Sequence, residues 1–249
     1  MTDRTLYLAW QDKRLTRAWF PVGRLDVSRG TGAYRFRYIR GAQRAREQAG
    51  FAPLMDFPEW KKTYESAVLF PLFMNRVIPT GRGDFANYLR MLDLPEGSEP
   101  ADIMEVDGGH RATDSFEVFP QIELGEDGMF RSRFFLHGAR HVNVPAQQRI
   151  DSLAPDERLI VSIELNNPAS GMAVQIQTGD YHVLGWAPRY LVDDLVRAIA
   201  VSSSGFAAKV VRVNPAPAPS KQRLLVELSG KWPDYEPMSQ GDFEAITND

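Results

Sequence analysis

Alternation of apolar and polar residues with a period of two marks several stretches of the chain. In residues 5–10, Leu6, Leu8 and Trp10 share one side, which predicts a strand turned by Gln11-Asp12-Lys13-Arg14. Residues 15–27 form a second extended stretch, interrupted by Pro21 and Gly23. In residues 33–38 aromatics and arginines alternate, so one face is aromatic and the other basic. That pattern fits a nucleic-acid platform of arginines and rings, but alternation alone demands no more than a sheet strand with its arginines in water. Helical spacing then predicts helices over 42–50, 57–74 and 84–92, with turn formers at Thr80-Gly81-Arg82-Gly83. Glu96 to Asp107 reads as acidic and turn-rich, and Glu117-Val118-Phe119-Pro120 as a short strand. Residues 129–142 predict a longer strand and 145–153 a short helix. Residues 205–213 and 223–228 predict two further strands, joined by the proline-rich stretch 214–220. Residues 237–246 predict a closing helix.

The densest pattern lies in residues 157–199. Ile160, Ser162 and Glu164 alternate with Val161, Ile163 and Leu165, as in a half-buried strand. Asn166-Asn167-Pro168-Ala169-Ser170-Gly171 supplies turn chemistry: side chains that bond their own backbone, and a glycine free to take positive φ. Ala173, Val174 and Ile176 resume an extended run, Thr178-Gly179-Asp180 turns it, and 181–186 continues. Pro188 suits the first turn of a helix, where its missing N–H costs little. Val192, Leu195, Val196 and Ile199 follow at helical spacing.

Composition narrows the class. With 249 residues, 43% hydrophobic and 24% charged, the chain suffices for one large globular domain or two ordinary ones. The absence of cysteine excludes disulfides and thiolate metal ligands and favours a reducing compartment. No apolar run reaches the length that crosses a bilayer, and Met1-Thr2-Asp3-Arg4 is too polar to begin a signal peptide. A cytoplasmic protein without membrane contact is the expectation. The net charge of −3 hides a segregation. Residues 1–50 carry eleven Lys/Arg against four Asp/Glu, a net of +7, and residues 91–130 carry eleven acids against Arg111, a net of −10. The two segments pair with each other or face water, or the basic one meets a phosphate backbone; common surface charge favours the first pair of readings. The acidic, glycine-containing turn Gly125-Glu126-Asp127-Gly128 places a domain boundary at 128, giving units 1–128 and 129–249.

No catalytic constellation emerges. His137 and His141 lie four apart in a stretch that reads as strand, where such positions are about 13 Å apart, too far to share an ion held at about 2.1 Å. Gly81-Arg82-Gly83 lacks the Lys-Ser/Thr ending of a phosphate loop, and there is no G-x-S-x-G and no Ser/His/Asp spacing. The expectation is a protein that is not an enzyme and holds no metal and no cofactor.

The order Asn-Asn-Pro (166–168), Ala-Val (173–174), Gly-Trp-Ala-Pro-Arg (185–189) and an amphipathic helix resembles the core of the HIRAN domain, whose members carry an Asn-Pro turn, an Asn-Ala-Ile strand and a Gly-Tyr-Val-Pro helix start. Gly138-Ala139-Arg140-His141-Val142 stands where that family has its first strand and glycine. The resemblance implies a small β-barrel with short helices that binds DNA ends. Carried onto this chain, its site comprises Arg140, His141, Asn167, Ser170, Trp186 and Arg189. The family's Tyr-Asp after the Asn-Pro turn is replaced by Ala169-Ser170, and its later aromatic by Val213, so the cations are kept while the pocket that reads a strand end is altered. Tyr181 and Tyr190 are further rings available for stacking or for the core.

The first half is similar in layout to the N-terminal subdomain of HipA-type toxin kinases. The residues concerned are Gly32, Tyr34, Phe36 and Tyr38, then Phe70 to Pro79, Tyr88 to Leu94 and Gly108 to Ser115. Arg76 replaces a leucine of that pattern, Thr80 an acid, and Thr113-Asp114 its Gly-Ala. No kinase catalytic loop follows, so phosphoryl transfer is not implied. The resulting expectation is an α+β protein: a mixed sheet-and-helix unit followed by a HIRAN-like small β-barrel with short helices. Its implied role is non-catalytic binding of single-stranded DNA or DNA ends in a bacterial regulatory, defence or repair system, with the N-terminal unit presented to a protein partner. The alternative is an antitoxin-like subunit that binds a kinase or other protein and no DNA.

Overall fold

The structure, a computed structural model, describes residues 3–28, 30–201 and 205–246; Met1 and Thr2 of the polar start lie outside them. The chain is α+β, with two antiparallel sheets in two compact units. The first unit comprises Met1–Ala86, Glu96–Gln121 and Pro237–Asp249, and the second Asn87–Pro95 and Ile122–Glu236. The single division expected at 128 is therefore replaced by an interleaved one, because one segment of each half groups with the other half's sheet.

In the first unit β1 (Arg4–Gln11), β2 (Trp19–Ser28), β3 (Ala33–Tyr38), β4 (Tyr64–Ser66) and β5 (Phe116–Pro120) form a sheet in the order β4-β3-β2-β1-β5. Every neighbouring pair is antiparallel. Leu6 and Leu8 enter the main core with Leu25, Phe36 and Phe73, as their alternation requires. The helix α1 (Arg40–Ala49) packs on β2 through Gly41, where a Cβ would stand 1.9 Å from the Pro21 carbonyl oxygen. Tyr7 takes the opposite face of β1 and is also fully buried, so that face needs its own cover. Phe119 and Phe243 supply it, with ring centroids 5.6 and 4.8 Å away, and the Tyr7 hydroxyl donates to the Met238 carbonyl at 3.2 Å.

This explains why residues 237–246 do not form the expected helix. They run along the first sheet with only a 3-10 turn at Gly241–Phe243, bridge Ile39 through Ala245, and pair Asp242 and Glu244 with Arg44 and Arg40. The expected helix over 57–74 is likewise absent. In its place stand β4 and α2 (Pro71–Met74), the latter begun by the proline that would have broken the longer helix. The aromatics whose spacing suggested a helix are held by rings of the sheet: Phe57 stacks on Phe36 at 3.9 Å and Trp60 lies 4.7 Å from Tyr38. The Tyr38 hydroxyl donates to the Phe57 carbonyl at 2.8 Å and accepts from Leu54 N–H at 2.7 Å.

Residues 84–92 hold α3 (Phe85–Met91), and the acidic stretch read as turns contains α4 (Pro100–Asp107). Glu99 and Asp102 form a reciprocal capping box there, and Gly108 ends the helix in the left-handed region. Arg4 pairs with Asp102 and Glu105, so the basic and acidic segments do meet within the chain, but Arg40 and Arg44 use C-terminal acids instead. Arg76, the departure from the kinase-like pattern, is a buried cation. Its Nη groups donate to the Gly109 carbonyl at 3.0 Å and to Asp114 at 2.6 Å.

The second unit holds β6 (Met129–Phe135), β7 (Arg158–Asn167), β8 (Gly171–Thr178), β9 (Val183–Trp186), β10 (Phe206–Val213) and β11 (Leu224–Lys231), with α5 (Val144–Asp151) and α6 (Val192–Val201). The strand order is β6-β11-β10-β7-β8-β9. The expected strand over 129–142 stops at Phe135, because Gly138 turns the chain in the left-handed region. Val174, Ile176 and Leu184 from one half of the sheet and Val210, Val226 and Leu228 from the other are fully buried. Asp93 joins this unit by accepting from Arg212 at 2.8 Å and Arg133 at 3.3 Å. Asn214 donates to the Met91 carbonyl at 2.9 Å.

Candidate nucleic-acid interface

Beyond β6 the chain makes one bridge to β9. His137 N–H donates to the Trp186 carbonyl at 2.9 Å and Trp186 N–H returns the bond at 3.0 Å. The next residue, Gly138, has φ 74, and a Cβ on it would lie 2.6 and 2.8 Å from Trp186 Cε3 and Cζ3. The indole thus lies over the backbone of residue 138, and only glycine satisfies both the turn and the ring. Ala139–His141 follow as a 3-10 turn closed by His141 N–H to the Gly138 carbonyl at 2.8 Å.

Trp186 Nε1 donates to Glu164 Oε2 at 2.6 Å, and the same oxygen accepts from Asn167 Nδ2 at 3.0 Å. Asn167 Oδ1 in turn accepts from Ala169 N–H at 3.0 Å and from the Ser170 hydroxyl at 3.1 Å. One chain of bonds therefore runs from the indole through a carboxylate to the Asn-Asn-Pro turn. The sequence alone marks Glu164 as no more than an alternating strand position. Its role depends on register, since Glu164 pairs with Ala173 two positions along from the Ser162–Gln175–Trp186 row, and so lies on the same face of the sheet as Trp186.

Of the six residues expected at the site, Gly138's neighbours Arg140 and His141 are exposed, with Arg140 Nε donating to His141 Nε2 at 3.0 Å. Asn167 and Ser170 form the turn itself, and Trp186 is half-buried over residue 138. Arg189 opens the 3-10 turn Arg189–Leu191 that follows Pro188 and leads into α6. It is half-buried, and burial pushes its pKa below the usual arginine value. A guanidinium that has given up water in this way gains more from an anion than an exposed one does. Tyr190 is buried, with its ring edge-on to His137, whereas Tyr181 is 77% exposed in the β8–β9 turn.

His137 and His141 do not lie on one strand, contrary to the sequence reading: a bridge residue, a left-handed glycine and a 3-10 turn separate their settings. Among the described residues no group of three or more His, Cys, Asp or Glu is placed to hold a metal ion. A cavity of about 250 Å³ opens beside Arg140, between the 3-10 turn, α5 and the proline-rich connection between β10 and β11; Gln147, Asp151, Ser220 and Arg223 also line it. Sequence reasoning missed these four. Their signal was the pair of flanking elements, α5 and the proline-rich stretch, each of which was read separately.

No described helix is long and apolar enough to cross a membrane. No family model and no curated protein matches the chain. Among solved structures, the crystal structure of a Lactobacillus plantarum protein, a structural genomics target, is similar over 41% of this chain and 99% of its own. Identity is 16% and the TM-score 0.31, a likeness that carries no argument.

Proposed function

We propose that the second unit is a HIRAN-like, small-barrel module that binds single-stranded nucleic acid, or its ends, without catalysing a reaction. The observation that carries this reading is the His137–Trp186 bridge. It links the segment just beyond β6 to β9, strands at opposite ends of the sheet order, and brings the Gly-Ala-Arg turn, the Gly-Trp-Ala-Pro-Arg segment and, through Glu164, the Asn-Asn-Pro turn into one neighbourhood. A ring for stacking then stands near the backbone that bears Arg140 and three residues before Arg189. Phosphate contacts position a strand in such an arrangement, and stacking adds sequence-tolerant affinity.

The test is a salt series of fluorescence-anisotropy titrations with a single-stranded oligonucleotide, on the full chain and on Arg140→Ala and Arg189→Ala. Affinity should fall steeply with salt, and each variant should lower the log–log slope by about 0.7. Absence of binding at low salt, or unchanged affinity and slope in both variants, removes this reading and leaves a protein-interaction subunit in its place.

A further inference from the structure

We infer that the cavity beside Arg140 receives a terminal phosphomonoester of the bound strand, so that the module favours phosphorylated ends over hydroxyl ends. The inference rests on the reading of the second unit as a nucleic-acid binder.

Three observations lead to it. First, the cavity is rich in donors. Arg140 uses only Nε within the chain, for His141, which leaves both Nη groups with no protein partner among the described residues. The Ser220 hydroxyl likewise has no protein partner among them, and Gln147 Nε2 is already oriented by the Val142 carbonyl at 2.9 Å. Planar guanidinium groups bond two phosphate oxygens at once, which suits Arg140 to an anion at the cavity mouth.

Second, the charge is arranged for a dianion. Among the described residues that line the cavity, Asp151 is the one acid facing Arg140 and Arg223, and it already pairs with Arg223, whose other Nη donates to the Asn214 carbonyl. The Arg223 side chain is 18% exposed, so two acceptors hold it as a fixed wall of the cavity. A terminal phosphate carries close to two charges at neutral pH, whereas a phosphodiester inside a strand carries one. The residual positive charge therefore selects the end over the interior. A hydroxyl end offers a donor instead, and the one carboxylate in the cavity is occupied by Arg223.

Third, the size fits an end and not a whole ligand. About 250 Å³ lies below the roughly 300–1,000 Å³ typical of pockets that enclose a complete small molecule. The cavity takes a phosphate with part of its sugar, while the rest of the strand runs outward past Gly138 and Trp186.

The experiment uses the full chain and a labelled single strand displaced by unlabelled oligothymidylates with a 3′-phosphate, a 5′-phosphate or hydroxyls at both ends. One phosphorylated strand should displace the label about tenfold better than the hydroxyl strand, the size of one charge-assisted contact. Arg140→Ala should abolish that advantage. Asp151→Asn should enlarge it, since a competing charge is removed while Arg223 keeps its bond to the Asn214 carbonyl. Inorganic phosphate and thymidine monophosphate serve as the remaining competitors, and neither should displace the strand below millimolar concentration. Thymidine monophosphate as effective as the strand would overturn the assignment to strand ends. Equal displacement by all three oligonucleotides, with salt-dependent binding intact, overturns the end site but leaves the nucleic-acid reading standing. An end preference that survives Arg140→Ala also overturns it, and no binding of any strand overturns both.

Discussion

Truncating Asp114 should destabilise the first unit more than truncating Arg76, although the two form one ion pair. The pair is asymmetric: the Arg76 side chain is 1% exposed and that of Asp114 25%. Arg76 gives Nη2 to Asp114 Oδ2 at 2.6 Å, Nη1 to the Gly109 carbonyl at 3.0 Å, and lies 5.4 Å from the Phe116 ring, while its Nε has no partner among the described residues. In Asp114→Ala the guanidinium stays buried with one carbonyl and one ring, and breaking a buried pair in this way costs about 3–5 kcal/mol. In Arg76→Met the remaining carboxylate keeps the Phe116 N–H at 3.1 Å and its exposed quarter admits water. Its cost falls to about 2 kcal/mol, nearer that of an ordinary lost charged hydrogen bond. The double variant should cost less than the sum of the two, by about 1–3 kcal/mol, because the second change removes the partner the first left stranded. Equilibrium urea unfolding of the three variants measures all of these. A cost of Asp114→Ala no greater than that of Arg76→Met would refute the reasoning, since burial of the cation is its whole basis.

Two further outcomes follow from side chains that organise turns. Asp12 accepts from Arg14, Leu15 and Thr16 N–H at 2.9, 3.0 and 2.6 Å and from the Thr16 hydroxyl at 3.0 Å. These bonds, Thr16 N–H foremost, lower its pKa from 3.8 to about 2. Asp12 is only 2% exposed, yet its cover is this loop and not the deep core, so the effect should stay local. A depressed carboxylate stabilises above its ordinary pKa and loses that contribution as pH falls through the folded value. The Leu15 and Thr16 amides should therefore lose hydrogen-exchange protection between pH 3.8 and about 2 while the Leu8 amide keeps its own; simultaneous loss at all three counts against a local role. In the second unit, Glu164→Ala should free the Trp186 indole N–H and cost about 1.5 kcal/mol, the low end for a hydrogen bond to a charged group. It should also weaken strand binding, whereas Glu164→Gln keeps an acceptor for the indole and binds at least as well as the parent chain. The Trp186 indole resonance and the anisotropy titration report the two effects, and equal behaviour of the two variants would show that Glu164 does not position the ring.

What was legible in the sequence is what neighbouring residues settle among themselves. Leu6 and Leu8 alternate because one face of β1 meets the core, and Asn167 closes its turn on Ala169 and Ser170 within three residues. Gly138 and Trp186 were legible as members of an ordered set, although what joins them is a bridge between positions 137 and 186. What was not legible depends on partners far along the chain. Phe57 and Trp60 have spacing that suits a helix, but rings at 36 and 38 compete for them and prevail. Residues 237–246 suggest a closing helix until Tyr7 is seen to need cover on the far side of its strand, where Met238 and Phe243 meet it. The helix α4 did carry local signals in Glu99, Pro100 and Asp102, but they sit inside a run of acids that also reads as solvated turn. The same argument bears on the site. Arg140 could be proposed from its place after a glycine, yet the Arg223–Asp151 pair beside it spans 72 residues and has no spacing of its own to betray it. A cavity wall built from such a pair is invisible to motif order. It is also free to change without disturbing that order, so the chemistry of the cavity varies independently of the residues that make the motif recognisable.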